Sequence, residues 1–172
     1  MTVVTPGTAV GRSLLFLDVD GTLIPFRARP VSRRHDRDRT VAGPSGGNPL
    51  LDRLEPEDGH RLAALGCELV WATTWGAEAN EVISPRLGLP ELPVVAWPDV
   101  DEDPPPGVHW KTAVLTQWAA GRAFIWLDDE ITDADRRWVA AHHGSRALLH
   151  RVDPYTRLTE PDFSLMRHWL GW

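Results

Sequence analysis

The sequence predicts an α/β fold, namely a doubly wound, Rossmann-like parallel sheet of about five strands. First, short apolar runs alternate with segments of helical length, which is typical of parallel strands joined by helical crossovers. Second, each run is continuously apolar, as in strands that are buried on both faces. The expected strands cover residues 13–18, 67–73, 92–97, 123–127 and 146–152.

Helices are expected between and after these strands. Asp133 is the expected N-cap of the fourth helix and Thr159 that of the fifth, because such side chains accept hydrogen bonds from the first N–H groups of a helix. Phe163 and Met166 are expected on the inward face of the fifth helix. The expected helices cover residues 57–65, 77–87, 108–120, 133–142 and 160–170.

Length and composition fit one domain over residues 1–172. The 172 residues are 42% hydrophobic, which is enough for one core, and the net charge of -6 is ordinary for a globular protein. No apolar run approaches the roughly 18 residues of a membrane span, and the first residues do not resemble a signal peptide. The lone Cys67 excludes an internal disulfide and favours a reducing, cytoplasmic location.

Two residue types have an unusual distribution. Lys111 is the only lysine among 18 Lys and Arg residues. It is therefore either a chance surface residue or the occupant of a position that needs a compact ammonium rather than a planar guanidinium. The nine Trp are spread over the chain, which favours a role in the core over an aromatic binding platform.

Polar residues are expected to meet at one edge of the sheet. Ligands of open parallel sheets bind beyond the carboxyl ends of the strands. Carboxylates that converge there repel one another unless a cation joins them, and oxygen ligands without His or Cys suit Mg²⁺. The residues expected at this edge are Asp18, Asp20, Gly21, Thr22, Thr73, Thr74, Lys111, Asp128 and Asp129.

These residue types indicate phosphoryl transfer. Asp18 and Asp20 are two positions apart and can point to the same side, so one can attack phosphorus while the other handles a proton. Gly21 allows a tight turn whose N–H groups can face phosphate oxygens. Mg²⁺ next to hydroxyl and ammonium donors is typical of phosphoryl-transfer sites.

The segment DVDGTL, residues 18–23, resembles motif I of the haloacid dehalogenase (HAD) superfamily. Thr73, Lys111 and the pair Asp128-Asp129 resemble motifs II, III and IV, in the family's order and over nearly the whole chain. An Asp at position 20 disfavours the dehalogenases, which lack this second acid.

The resemblance implies a Mg²⁺-dependent phosphatase with an aspartyl-phosphate intermediate on Asp18 and with Asp20 as general acid and base. Mg²⁺ would be held by Asp18, the Asp20 backbone carbonyl and Asp128, with Asp129 as an alternative or additional ligand. Thr73 and Lys111 would hold phosphoryl oxygens, and Thr74 also fits motif II. A phosphotransferase and a catalytically silent HAD-like binding module are the alternatives.

Two segments interrupt the alternation of strands and helices. Residues 25–49 are rich in Gly, Pro, Ser and Arg and are expected to form a flap or loop that is too polar to bury a core of its own. Residues 99–107 form an acidic, proline-rich loop. Neither gap between the motifs has room for a substantial cap domain, so the resemblance implies a capless member with an open site.

An open site suits a phosphate on a large partner, such as a protein or a nucleic-acid end. Arg33 and Arg34 are candidate substrate-binding residues within a basic segment that could steer a polyanion. A solvated loop is the alternative. The basic segment also includes Arg27, Arg29, Arg37 and Arg39. The sequence predicts no membrane association and no particular oligomeric state.

Overall fold

The structure is a computed structural model that describes residues 11–26, 47–99 and 103–172. Its sheet has four parallel strands in the order β2-β1-β3-β4. Leu14 of the central strand β1 lies opposite Glu68 of β2 on one side and Phe124 of β3 on the other. The strands are β1 (Leu14–Leu17), β2 (Glu68–Trp71), β3 (Phe124–Asp128) and β4 (Ala147–Arg151).

Helices pack on both faces of this sheet, so the doubly wound α/β prediction is confirmed. Alternate residues of β1 point into two hydrophobic clusters, with Leu15 in one and Phe16 in the other. The first cluster includes residues of α1, α2 and α5, and the second includes residues of α3 and α4. The helices are α1 (Pro56–Ala64), α2 (Ser84–Leu87), α3 (Lys111–Ala119), α4 (Asp133–His142) and α5 (Glu160–Leu170).

The sheet has four strands rather than the expected five. The expected strand at 92–97 makes a single parallel bridge, between Val94 and Trp71 at the outer edge of β2. Pro93 accepts a hydrogen bond there from the Trp71 N–H but has no N–H of its own to donate. Prolines also precede and follow the segment, so the apolar run does not extend into a strand.

Two helix boundaries also differ from expectation. The helix expected at 77–87 is a π-helical turn, Ala79–Ile83, followed by the four-residue α2, and Pro85 at the start of α2 cannot donate an i→i−4 hydrogen bond. Thr132 rather than Asp133 is the N-cap of α4, while Thr159 is the N-cap of α5 as expected.

The region between motifs I and II is only partly described. Residues 27–46, with Arg33 and Arg34, lie outside the described residues, so the prediction of a flap at 25–49 is not examined by the structure. A 3-10 turn at Pro49–Arg53 leads into α1. The described residues contain no cap domain, and none of their helices has the length and apolar character that a bilayer crossing requires.

Candidate active site

The first loop beyond β1, the loop beyond β3 and the first turn of α3 meet at the carboxyl edge of the sheet. Lys111, the first residue of α3, donates hydrogen bonds through Nζ to Asp18 Oδ1 at 2.9 Å and to Asp128 Oδ2 at 2.8 Å. All three side chains are buried. The lone lysine is thus not a surface residue, because it lies between two carboxylates from neighbouring strands.

Asp129 completes an acidic cluster next to Gly21. One carboxylate oxygen from each of Asp18, Asp128 and Asp129 lies within 4.8 Å of the others. Gly21 has a φ of 77°, and a Cβ on it would lie 2.4 Å from Asp129 Oδ2, so any other residue would strain the backbone and displace the Asp129 carboxylate. Three clustered carboxylate oxygens are a donor set that suits Mg²⁺.

Two pKa values within the acidic cluster are raised. Burial, with a further contribution from the charge of Asp128, raises the pKa of Asp18 to about 7. Burial and Asp128 also raise the pKa of Asp129 to about 6. Burial alone would lower the pKa of Lys111, but the charges of Asp18 and Asp128 outweigh it and the pKa is raised. The site holds more negative charge than one lysine balances, which favours binding of a further cation.

Asp20 is held by a tryptophan rather than by the acidic cluster. Its Oδ2 accepts a hydrogen bond from Trp75 Nε1 at 3.0 Å. The Trp75 backbone N–H in turn donates to Thr73 Oγ1 at 3.2 Å, which leaves the Thr73 hydroxyl proton available for another acceptor. Trp75 therefore links the motif I acid to the motif II threonine. Sequence reasoning missed it, and its place two residues after Thr73 was the available signal.

The remaining expected site residues have different surroundings. Thr22 is buried, with Oγ1 3.4 Å from Asp18 Oδ2, and Thr73 is also buried. Thr74 is exposed, so the two threonines that fit motif II differ in their environment. The roles predicted for these residues in catalysis, substrate binding and metal binding stay predictions.

A further buried carboxylate lies behind the site, that of Asp135 in α4. Asp135 accepts hydrogen bonds from the His109 N–H at 2.6 Å, the Thr112 hydroxyl at 2.7 Å and the Thr132 N–H at 2.8 Å. It thereby joins the start of α4 to residues on either side of Lys111. No spacing in the sequence indicates its contacts with His109 and Thr112, because they join separate segments of the chain.

Tryptophans surround Lys111 as well. The Trp97 and Trp110 ring centroids lie 5.8 and 5.7 Å from Lys111 Nζ. Of the nine Trp expected in the core, Trp71 and Trp126 are fully buried. Five others are partly buried and pack against the core clusters, namely Trp75, Trp97, Trp118, Trp138 and Trp169. The expectation of core packing is wrong for Trp110 and Trp172, which are exposed.

An Asp-x-Asp turn after the central strand of a parallel sheet, with a buried lysine between it and the aspartates of the next strand, is the arrangement of a HAD-superfamily domain. A family profile described as "HAD domain in Swiss Army Knife RNA repair proteins" matches residues 14–163. The chain belongs to this family, which indicates a phosphatase or a related hydrolase or transferase. Neither a curated protein nor a solved structure matches the chain.

Proposed function

We propose that the protein is a Mg²⁺-dependent phosphomonoesterase that forms an aspartyl-phosphate on Asp18. The observation that supports this most is the buried contact of Lys111 with both Asp18 and Asp128. A pre-placed ammonium between two carboxylates can stabilise the charge that develops on a transferring phosphoryl group. Mg²⁺, bound through Asp18, Asp128 and Asp129, would supply neutralisation of phosphoryl charge.

In the first step a carboxylate oxygen of Asp18 attacks phosphorus. The new bond joins Asp18 to phosphorus, and the bond from phosphorus to the leaving oxygen breaks. Asp20 gives its proton to that leaving oxygen, so an alcohol departs. Trp75, which donates to Asp20 Oδ2, fixes the carboxyl group in position for this transfer.

In the second step water releases the phosphate. Asp20, now a carboxylate, takes a proton from a water molecule as its oxygen attacks phosphorus. The bond between Asp18 and phosphorus breaks, which returns Asp18 as a carboxylate and frees inorganic phosphate. Lys111 stays next to the same oxygens in both steps and offsets their charge.

The proposed substrate is a phosphorylated RNA end. The description of the matching family, which names RNA repair proteins, favours a nucleic acid over a protein partner. A site without a cap in the described residues is compatible with a phosphate on a long chain. The basic segment predicted from Arg27 to Arg39 would add attraction for a polyanion.

The reaction is tested with p-nitrophenyl phosphate and with oligoribonucleotides that have a 5′- or 3′-terminal phosphate. We expect phosphate release that requires Mg²⁺, and binding of beryllofluoride together with Mg²⁺ as a phosphoryl mimic. Transfer of phosphate to an added alcohol instead of water would identify a phosphotransferase. Absence of turnover on every substrate with bound Mg²⁺ would favour the silent binding module.

The contribution of the basic segment is tested by salt. The kcat/KM on a phosphorylated oligoribonucleotide should fall more steeply with salt than that on p-nitrophenyl phosphate. Neutralising Arg33, Arg34 and Arg37 together should remove this difference. A strong preference for a small sugar phosphate, unchanged in the triple variant, would contradict the macromolecular substrate.

A further inference from the structure

We propose that Phe26, Arg151 and Tyr155 form a surface that binds the nucleotide adjacent to the phosphorylated end of a single-stranded RNA. We call these three residues the rim surface. The inference rests on the proposed function, because it assumes that the terminal phosphate of the same RNA reaches Asp18.

The rim surface presents two aromatic rings to solvent. Phe26 is 52% exposed and Tyr155 is 55% exposed. The two rings meet edge to face, with centroids 6.1 Å apart and an angle of 78° between their planes. The Phe26 N–H donates to the carbonyl of Pro154 at 2.8 Å, which holds the two segments together. Exposed rings on a fixed backbone are the elements on which nucleobases stack.

Two backbone connections place the rim surface beside the candidate active site. Ile24, two residues before Phe26, forms a parallel bridge with Asp20. Arg151 is the residue of β4 that lies directly opposite Asp128 in β3. A ligand that extends from the acidic cluster along the carboxyl edge of β4 therefore meets Arg151 and then Tyr155.

Arg151 supplies a positive charge at this position. Its Nε donates to the backbone carbonyl of Asp129 at 2.9 Å, and the side chain is exposed. Because this contact is with a neutral carbonyl and not with a carboxylate, it does not neutralise the positive charge of Arg151. A guanidinium held through Nε keeps its terminal N–H groups for a phosphodiester oxygen.

The shape of the surface also fits a nucleotide. Residues 151–155 line a cavity of about 430 Å³, which falls within the usual size of small-molecule sites of roughly 300–1,000 Å³. Asp153 Oδ1 accepts a hydrogen bond from the Tyr155 N–H at 2.9 Å, so this carboxylate shapes the turn that presents the ring. Aromatic rings that can stack on bases, next to a cation that can bind the phosphate backbone, favour single-stranded RNA over a protein partner.

The test is fluorescence anisotropy with a labelled single-stranded oligoribonucleotide of about ten nucleotides, within the known site sizes of ~4–16 nucleotides. The oligoribonucleotide has no terminal phosphate, so binding is measured apart from catalysis. We expect Phe26→Ala and Tyr155→Ala each to raise Kd about tenfold, whereas Tyr155→Phe binds like the unchanged protein. Arg151→Gln should reduce the slope of log K against log salt by about 0.7, because one phosphate contact is lost.

Matched controls separate the rim surface from general effects. Trp172→Ala removes another exposed ring, and Arg137→Ala another exposed guanidinium; neither should change Kd or the salt slope. Hydrolysis of p-nitrophenyl phosphate should be unchanged in Phe26→Ala and Tyr155→Ala, which also shows that both variants fold.

The outcomes distinguish the two proposals. If the unchanged protein does not bind the oligoribonucleotide, or if the alanine variants bind it equally well, the rim surface does not hold RNA. The same conclusion follows if the alanine variants lose hydrolysis of a phosphopeptide and retain that of phosphorylated RNA. If RNA binding depends on the rim surface but no phosphate ester is cleaved, the phosphatase proposal fails and the rim surface stands only as an RNA-binding surface.

Discussion

Asp18 and Asp135 are both buried carboxylates near the carboxyl edge of the sheet, but their surroundings differ. Asp135 accepts hydrogen bonds from two backbone N–H groups and two threonine hydroxyls, all neutral donors. Asp18 contacts the ammonium of Lys111 and lies near a second carboxylate, Asp128, and its pKa is raised to about 7.

This difference separates two uses of a buried acid. The neighbours of Asp135 satisfy its carboxyl oxygens with hydrogen bonds, so it can stabilise the junction of α3 and α4. The neighbours of Asp18 leave its charge incompletely balanced, as is common where a group takes part in chemistry or binds a cation. Burial alone therefore does not identify a catalytic carboxylate, whereas a perturbed pKa with a specific charged partner favours one.

The largest expected effect is that of Asp18→Asn on turnover. The amide cannot attack phosphorus, so kcat on p-nitrophenyl phosphate should fall on the order of 10⁴-fold or more. The metal-free variant should remain folded at pH 8, with an unfolding temperature at least as high as before, because repulsion from Asp128 is relieved. Circular dichroism and phosphate release measure both. Activity close to that of the unchanged protein would rule out Asp18 as the nucleophile.

Lys111 is the next residue to test, because its ammonium contacts Asp18, whereas the donors to Asp135 are neutral. Lys111→Ala should lower kcat/KM roughly 10²–10³-fold through loss of a pre-placed charge. Lys111→Arg should not restore the rate, because a planar guanidinium does not fit the buried position between Asp18 and Asp128. Steady-state kinetics on p-nitrophenyl phosphate decide this. Normal activity of the arginine variant would show that the lone lysine is a coincidence of composition.

Asp135→Ala should act mainly on stability. It leaves the buried Thr112 hydroxyl and the part-buried N–H groups of His109 and Thr132 without their acceptor, which should lower the free energy of unfolding by about 3 kcal/mol. Asp133→Ala, in the same helix turn, removes an 81% exposed side chain that pairs with Arg136, and should cost less than about 1 kcal/mol. Urea unfolding compares the two variants. Equal losses would mean that the contacts of Asp135 contribute nothing beyond helix capping.

The pH dependence of the metal-free protein gives a further test of Asp18. Because the pKa of Asp18 is raised from 3.8 to about 7, the folded state holds more protons than the unfolded state between about pH 4 and pH 7. Stability should therefore decrease as the pH rises through this range. Asp18→Asn should weaken this dependence, and thermal unfolding without Mg²⁺ at a series of pH values measures it.

Protonation of the acidic cluster should also oppose metal binding. Asp18 and Asp129, with pKa values of about 7 and about 6, must lose protons to bind a cation, so Mg²⁺ affinity should rise from pH 5.5 to pH 7.5. Calorimetry in two buffers with different ionisation enthalpies should detect proton release. Affinity that is independent of pH would place the cation away from these two carboxylates.

The sequence alone predicted the architecture and the proximity of Asp18, Lys111 and Asp128. Continuous apolar runs predict where the strands lie. Ligands of parallel sheets bind at the carboxyl ends of the strands, and on this basis the three residues are expected at one edge of the sheet. The rule that continuous apolar runs form strands was wrong for residues 92–97, because Pro93 within this run has no N–H to donate to a neighbouring strand.

The parts that sequence reasoning missed depend on packing between elements. Trp75 donates to Asp20 from a loop after β2, and Asp135 in α4 accepts from His109 in the segment before α3. The contact of Asp135 follows from no spacing in the sequence, and for Trp75 the sequence offers only its place two residues after Thr73. The exposure of Phe26 and Tyr155 is a tertiary property too, since an apolar residue in a loop can as well be buried.

The position of β1 at the centre of the sheet has a consequence for how the chain folds. Among the described strands, β1 comes first along the chain and pairs with β2 and with β3, so Leu14 has both partners only after Glu68 and Phe124 have been synthesised. Such distant pairings slow folding, because chain entropy is lost before the contacts form. A nascent chain released before Phe124 would expose one unpaired edge of β1, a template for aggregation. Translation must therefore pass β3 before Asp18 and Asp128 can meet.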